Sequence, residues 1–149
     1  MVDVLEIDRV VIASGDMEET VEQFERLGLS FGEGMSFQLG EEALSGRMDY
    51  SGVDIISPAS DGEIARFVEE EGPGLYGISL RVSDAEAARQ HLAEEGIEPF
   101  QQYQEGEFLE FFYHPRHFSG VMVIVAEYPA THPLEAFVTT ERRGSDAAE

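Results

Sequence analysis

A chain of 149 residues suits one compact domain or two small halves sharing a core, and 42% apolar content is enough to fill that core. With no cysteine it has no disulfide, thiol nucleophile or thiolate metal site, and no apolar run approaches the roughly 18 residues of a membrane span. A net charge of −22 repels nucleic-acid phosphates and anionic lipid, so neither nucleic acid nor membrane is an expected partner.

Val4–Ala13 is rich in β-branched residues and is predicted to be a buried strand, nearly unbroken apart from Asp8 and Arg9. Gly15-Asp16 is turn chemistry, with Asp16 placed to cap a helix over Met17–Gly28 whose apolar positions recur at helical spacing. Phe31, Met35, Phe37 and Leu39 alternate as in a strand, and Gly40-Glu41-Glu42 is a candidate hairpin turn. Two short strands are expected at Arg47–Tyr50 and Val53–Ser57, then a short acidic helix over Asp61–Glu71, ended by Gly72-Pro73-Gly74. Leu75–Val82 opens a second series: a strand, a helix over Ala85–Glu95, strands at Glu98–Gln104 and Glu107–His114, a turn at Pro115–Gly120 and a final strand at Val121–Tyr128. Pro129–Phe137 is expected to pack back as a cap, with a polar tail after it.

The second series repeats the first. A constant offset of 68 residues lays Asp84 on Asp16, Glu86 on Glu18, Gly96 on Gly28, Leu80 on Ile12, Leu92 on Phe24, and Ser119-Gly120-Val121 on Ser51-Gly52-Val53. The fold class expected is therefore α+β, two tandem βαβββ modules. Module one spans 4–60, a linker helix 61–73, module two 74–128 and a cap 129–138, all within a single domain of 1–138; 139–149 is a flexible tail.

The basic residues are nine arginines, with no lysine, against 31 acids. A disordered acidic chain would have this charge but not the apolar periodicity. Adaptation to molar salt, where screening contracts to roughly 3 Å, accounts for both, and the composition resembles that of haloarchaeal proteins. The N-terminus lacks a basic segment followed by an apolar run, so no signal peptide is expected and a cytoplasmic protein is.

Four sets of strings stand out in order along the chain: Ile7-Asp-Arg-Val-Val-Ile-Ala13, Ile55-Ile-Ser-Pro58 with Glu63-Ile-Ala-Arg-Phe67, Gly74-Leu-Tyr-Gly-Ile-Ser-Leu80, and His114-Pro-Arg116 with Gly120-Val-Met-Val123. They resemble the vicinal-oxygen-chelate superfamily of glyoxalases, bleomycin-resistance proteins, extradiol dioxygenases and methylmalonyl-CoA epimerase, the wording being nearest the epimerases. The resemblance covers about residues 4–128. It implies a curved, cup-shaped mixed sheet, a homodimer, and one divalent metal held by four inward side chains from the first and last strands of each module.

Carried over position by position, the first ligand, a His in the family, falls on Arg9, the second on Asp54, the third on Gly77 and the fourth on Ile124, or on Met122 by the strict offset. Arg9 has no lone pair to offer a cation, Gly77 has no side chain and Ile124 no donor, so only Asp54 is chemically competent. No metal and no other cofactor is therefore expected. Arg9, Asp54, Gly77 and Ile124 become candidate ligand-binding positions, with Arg9 supplying the positive charge for a small anionic molecule. Two competing readings are an Arg9–Asp54 pair that plugs a dead site and an Arg9 that snorkels to water. An epimerase- or glyoxalase-like isomerase or lyase using Arg9, or a metal relocated near His114 and His117, is the alternative function. A structural subunit with a vestigial site is a third.

Other candidates are weighed against plainer roles. Glu33, Asp49, Glu107 and Glu110 are placed on strands, where a buried carboxylate can act as a base. Tyr50, Tyr76, Tyr103 and Tyr113 are expected in core or rim packing, and Phe108, Phe111, Phe112 and Tyr113 as wall and dimer interface. Arg81 is expected at the surface, His91 exposed on its helix, His132 structural, and His114 and His117 as turn residues.

Overall fold

The structure, a computed structural model, describes residues 2–129. The expected cap and tail, with His132, lie outside the described residues apart from Pro129. In chain order the elements are β1 (Val4–Ala13), α1 (Met17–Glu25), β2 (Met35–Leu39), β3 (Glu42–Met48), β4 (Val53–Pro58), α2 (Glu63–Glu71), β5 (Gly74–Val82), α3 (Ala85–Glu94), β6 (Gln101–Glu105), β7 (Phe108–Tyr113) and β8 (Met122–Glu127). This is βαβββ twice, with α2 between the copies, as the repeat predicts.

The equivalent helices start and stop by the same chemistry. Asp16 accepts from the Glu19 N–H at 3.1 Å and Asp84 from the Ala87 N–H at 2.9 Å, each satisfying a donor that the first helical turn leaves open. Beyond the helix ends, Gly28 and Gly96 take φ of 98° and 79°, a region costly for any residue with a Cβ. Helix α2 starts differently. Its N-cap is Gly62, and the cap group is borrowed from β3: Glu42 accepts from the N–H groups of Ile64 at 3.0 Å and Ala65 at 3.4 Å.

The chain divides into two units: residues 9–78, and residues up to 8 together with those from 79 onward. In the first, the strand order is β2-β3-β4-β1. β1 and β4 run parallel, with Val10 opposite Val53 and Val11 opposite Asp54, while β2–β3 and β3–β4 are antiparallel. Arg9, Val11 and Ala13 are buried and alternate with partly exposed Val10 and Ile12, the period-two pattern of a strand. Val11, Val21, Leu39, Leu44, Met48, Ile55 and Ile64 are buried in this unit. Each contributes about 1.5–3 kcal/mol on burial.

In the second unit the order is β5-β8-β7-β6, with β7 antiparallel to both neighbours. Its centre is aromatic: Phe108 stacks on Tyr128 with ring centroids 5.4 Å apart, and the Tyr103 ring meets Phe108 edge-on at 6.3 Å. Helix α3 lies against β7 and β8 through buried Ala85 and Ala88, and the Ala85 N–H donates to Glu127 at 2.8 Å. No helix among the described residues is long and apolar enough to cross a membrane.

Several element bounds differ from expectation. Two short strands were expected from Arg47 to Ser57, yet β3 begins at Glu42 and runs through Ser45-Gly46. Gly46 reads as a breaker, but it is the residue over which Phe37 of β2 lies: a Cβ there would stand 3.1 Å from the ring. Phe31 makes only an isolated bridge to Asp49, so β2 starts at Met35. β6 starts at Gln101, because Pro99 has no N–H for a ladder and Phe100 supplies the first bond to β7, its N–H to the Phe112 carbonyl at 2.8 Å.

Candidate functional site

The buried polar pair at the first predicted position is present. Arg9 donates to Asp54 at 3.0 Å, with their side chains 3% and 10% exposed. The sheet places them: β1 and β4 lie side by side, Val11 is opposite Asp54, and Arg9 and Val11 share a face. The reading in which Arg9 snorkels into water is excluded. A guanidinium and a carboxylate taken this far from water each carry a desolvation cost that only the other, with further hydrogen bonds, offsets. The remaining two predicted positions are also buried, Gly77 in β5 of the same unit and Ile124 in β8 of the other.

These four side chains do not suit the divalent metal that the family resemblance implies. The one oxygen donor, Asp54, already accepts from a guanidinium, and glycine and isoleucine contribute no donor atom. Among the described residues no group of three or more His, Asp or Glu is placed to hold a metal ion. At the His114–His117 turn, His114 Nδ1 accepts from the Arg116 N–H at 3.1 Å, closing a 3₁₀ turn over Pro115–His117.

The second unit holds a polar network that sequence reasoning missed. Asp8 accepts from the Tyr128 hydroxyl through one carboxylate oxygen and from Ser79 at 3.3 Å through the other. Arg81 donates to the Tyr128 carbonyl at 3.1 Å and to Glu6 at 3.3 Å, and its guanidinium sits 4.5 Å from the centre of the Tyr128 ring. Arg81 is therefore part of the fold, not the surface arginine expected. The only sequence signal was a charged residue alternating with apolar ones in a strand.

The other acids sort clearly. Glu33 is exposed in the loop before β2 and Glu107 in the turn before β7, so neither lies on a strand as expected. Asp49 is buried, but its carboxylate accepts from the Ser51 N–H and hydroxyl and the Val53 N–H, tying the turn into β4. Glu110 alone of the four sits within a strand, 4% exposed, opposite Tyr103 on one side and Ala126 on the other. Among the tyrosines, Tyr76 packs edge-on against Phe67, Tyr103 donates to Glu105 at 2.5 Å, and Tyr50 is exposed. Burial raises the pKa of both Tyr76 and Tyr103, with neighbouring glutamates adding to it, so neither phenol is set up as a base near neutral pH. Phe108, Phe111, Phe112 and Tyr113 are buried within the chain itself. His91 is exposed, as its helix position predicts.

Paired βαβββ modules with this strand order define a class of α+β fold, and comparison with known proteins names it. The sequence profile of the Glyoxalase/Bleomycin resistance protein/Dioxygenase superfamily matches residues 8–113, and the chain belongs to that superfamily. Among solved structures, methylmalonyl-CoA epimerase from Mycobacterium tuberculosis is similar with a TM-score of 0.68 at 21% identity, over 85% of this chain and 90% of that one. A variant of the Streptomyces coelicolor methylmalonyl-CoA epimerase in complex with 2-nitronate-propionyl-CoA gives 0.65 at 17%, over 86% and 100%. A hypothetical protein from Bacillus halodurans gives 0.65 at 18%, over 85% and 96%. Identities this low speak for the fold alone. No curated protein sequence matches significantly.

Proposed function

We propose that this superfamily member binds a small organic anion without a resident metal, with the Arg9–Asp54 pair as the polar end of its site. The observation that carries the reading is a buried arginine at 3.0 Å from the one surviving oxygen ligand, at positions that resemble a metal site. A fixed guanidinium delivers positive charge and planar donors to a carboxylate or thioester oxygen without needing a metal. Elemental analysis of protein purified in molar KCl and incubated with Zn, Co, Ni, Mn and Fe salts tests the metal part; stoichiometric uptake of any of them overturns it. Calorimetric titration with methylmalonyl-CoA and simple aromatic carboxylates tests the anion part. Binding to the wild type that weakens at least tenfold in Arg9→Met supports it, and equal binding by the two refutes the role of Arg9.

One observation favours a second reading, an isomerase of epimerase type. Glu110 is a strand carboxylate nine-tenths or more buried, the kind of group that can exchange a proton with an acidic carbon. Loss of the α-proton of methylmalonyl-CoA to deuterium oxide, seen with the wild type and absent in Glu110→Gln, supports catalysis. No exchange above the buffer rate leaves binding as the function.

A further inference from the structure

Asp49 takes a negative charge into the first unit with no base beside it. It is 5% exposed, and among the described residues no arginine or histidine pairs with it. A carboxylate removed from water in this way is costly unless hydrogen bonds replace the water. All of its bonds go to one turn. The N–H groups of Ser51 and Val53 both donate to Oδ1 at 3.2 Å, and the Ser51 hydroxyl donates to the two oxygens at 2.7 and 2.9 Å.

That turn opens both ladders that bring Arg9 and Asp54 together. On one side the Asp49 N–H donates to the Val53 carbonyl at 3.0 Å, next to the β3–β4 pairing that sets Met48 opposite Asp54. On the other the Val10 N–H donates to the Gly52 carbonyl at 2.8 Å, at the start of the parallel pairing of Val10 with Val53 and Val11 with Asp54. Val10 follows Arg9 in the chain and Val53 precedes Asp54, so the turn holds a direct neighbour of each member of the pair.

Burial alone does not fix this register. Every residue of β4 from Asp54 to Ser57 is buried, so the strand has no solvent face to tell one alignment from the next. A slip of one residue would carry Asp54 to the opposite face and bring Ile55 into its place. We infer that Asp49 is the positioning residue of the Arg9–Asp54 pair: by holding Ser51 and Val53 it sets β4 against β3 and β1, and so keeps the Asp54 carboxylate within reach of the guanidinium. The inference deepens the anion-site reading above, on which its consequence for binding rests.

The test uses the full chain labelled with ¹⁵N-arginine in molar KCl, where the Arg9 side-chain signal is the one missing from Arg9→Met. Asp49→Ala is expected to shift that signal. It should also weaken methylmalonyl-CoA, titrated well below the melting temperature, by about tenfold, the low end of what a hydrogen bond to a charged group contributes. Asp49→Asn keeps an oxygen for the Ser51 and Val53 N–H groups and is expected to restore both the signal and the affinity. Gly62→Ala, which displaces Glu42 from the start of α2, lowers stability without touching this turn and should leave both readouts at wild-type values. A purely structural Asp49 would behave as Gly62 does. Should Asp49→Ala fail to fold, Ser51→Ala, which removes only the hydroxyl bonds, is expected to move the Arg9 signal in the same direction by less. An unmoved Arg9 signal in whichever of these two variants folds overturns the inference, as does an Asp49→Asn that restores nothing. If the wild type binds no methylmalonyl-CoA, the support for an anion site is lost, and the Arg9 signal alone decides the role of Asp49.

Discussion

A phenol hydroxyl shut away from water without a bonding partner is a cost the fold carries at one residue, Tyr113. The residue is 0% exposed, its ring meets Phe118 edge-on at 6.3 Å, and its hydroxyl finds no hydrogen bond among the described residues. Burial pushes its pKa up to about 12 from 10.0, with Arg89 pulling down and Glu98 and Glu86 pushing up. A raised pKa means the folded chain keeps this proton where the unfolded chain releases it. The associated stability is complete below pH 10 and is lost as pH rises toward 12. Tyr113→Phe removes the unmet hydroxyl and is expected to stabilise the protein by about 1 kcal/mol at neutral pH. Its urea midpoint should also fall less steeply than that of the wild type between pH 10 and 12. The decline becomes shallower, not flat, because Tyr76 and Tyr103 are raised as well. A midpoint lower than wild type at neutral pH would show that the hydroxyl is bonded after all.

Elements were legible in the sequence where a cap or a period marked them. The two Asp caps and the two Gly stops were readable, and the repeat made each half a check on the other; β1 was read as a buried strand throughout, whereas Val4–Ile7 are exposed and only Arg9, Val11 and Ala13 are buried. What could not be read was the work done by one element on another. Glu42 looks like a turn acid after Gly40, yet it is 8% exposed and caps α2, twenty-two residues on in the chain. Likewise Arg9 and Asp54 were legible as a pair only through the family resemblance, since spacing alone does not say which strands lie side by side. The contacts among Asp8, Ser79, Arg81 and Tyr128 could not be read for the same reason.

Gly62 is the test at this scale. Alanine is normally the better helix residue, but a Cβ here would lie 2.3 Å from the Glu42 Cδ. The side chain can swing aside cheaply; the cap bond to Ile64 cannot survive the swing. Gly62→Ala is therefore expected to destabilise by about 1 kcal/mol, the worth of a helix cap. The same change in a Glu42→Ala background, which has neither the cap oxygen nor the clashing atoms, should cost less, as measured by thermal unfolding. An unchanged melting temperature in the single variant would mean that Glu42 does not cap α2.

For the molecule as a whole, the excess of negative charge is what no local contact answers. Arg9, Arg47, Arg66, Arg81 and Arg89 each pair with an acid, but nine arginines cannot neutralise 31 acids. Helix α2 shows the same excess: it carries an acid in its first turn and no base in its last, so the negative end of its dipole goes unanswered, whereas Arg26 stands at the C-cap of α1. Adaptation to concentrated salt is proposed on this balance. In dilute buffer, where screening reaches roughly 10 Å, acids on neighbouring elements repel through the fold; in molar salt, at roughly 3 Å, only those in contact do. Because the unfolded chain spreads the same charge over a larger volume, salt should favour the folded state more than the unfolded one. The melting temperature is therefore expected to climb steadily from dilute buffer to molar KCl. Sodium chloride at equal ionic strength should act similarly if screening is the cause. A melting temperature indifferent to salt would show that the fold tolerates its own repulsion. The acid excess would then serve solubility and not stability.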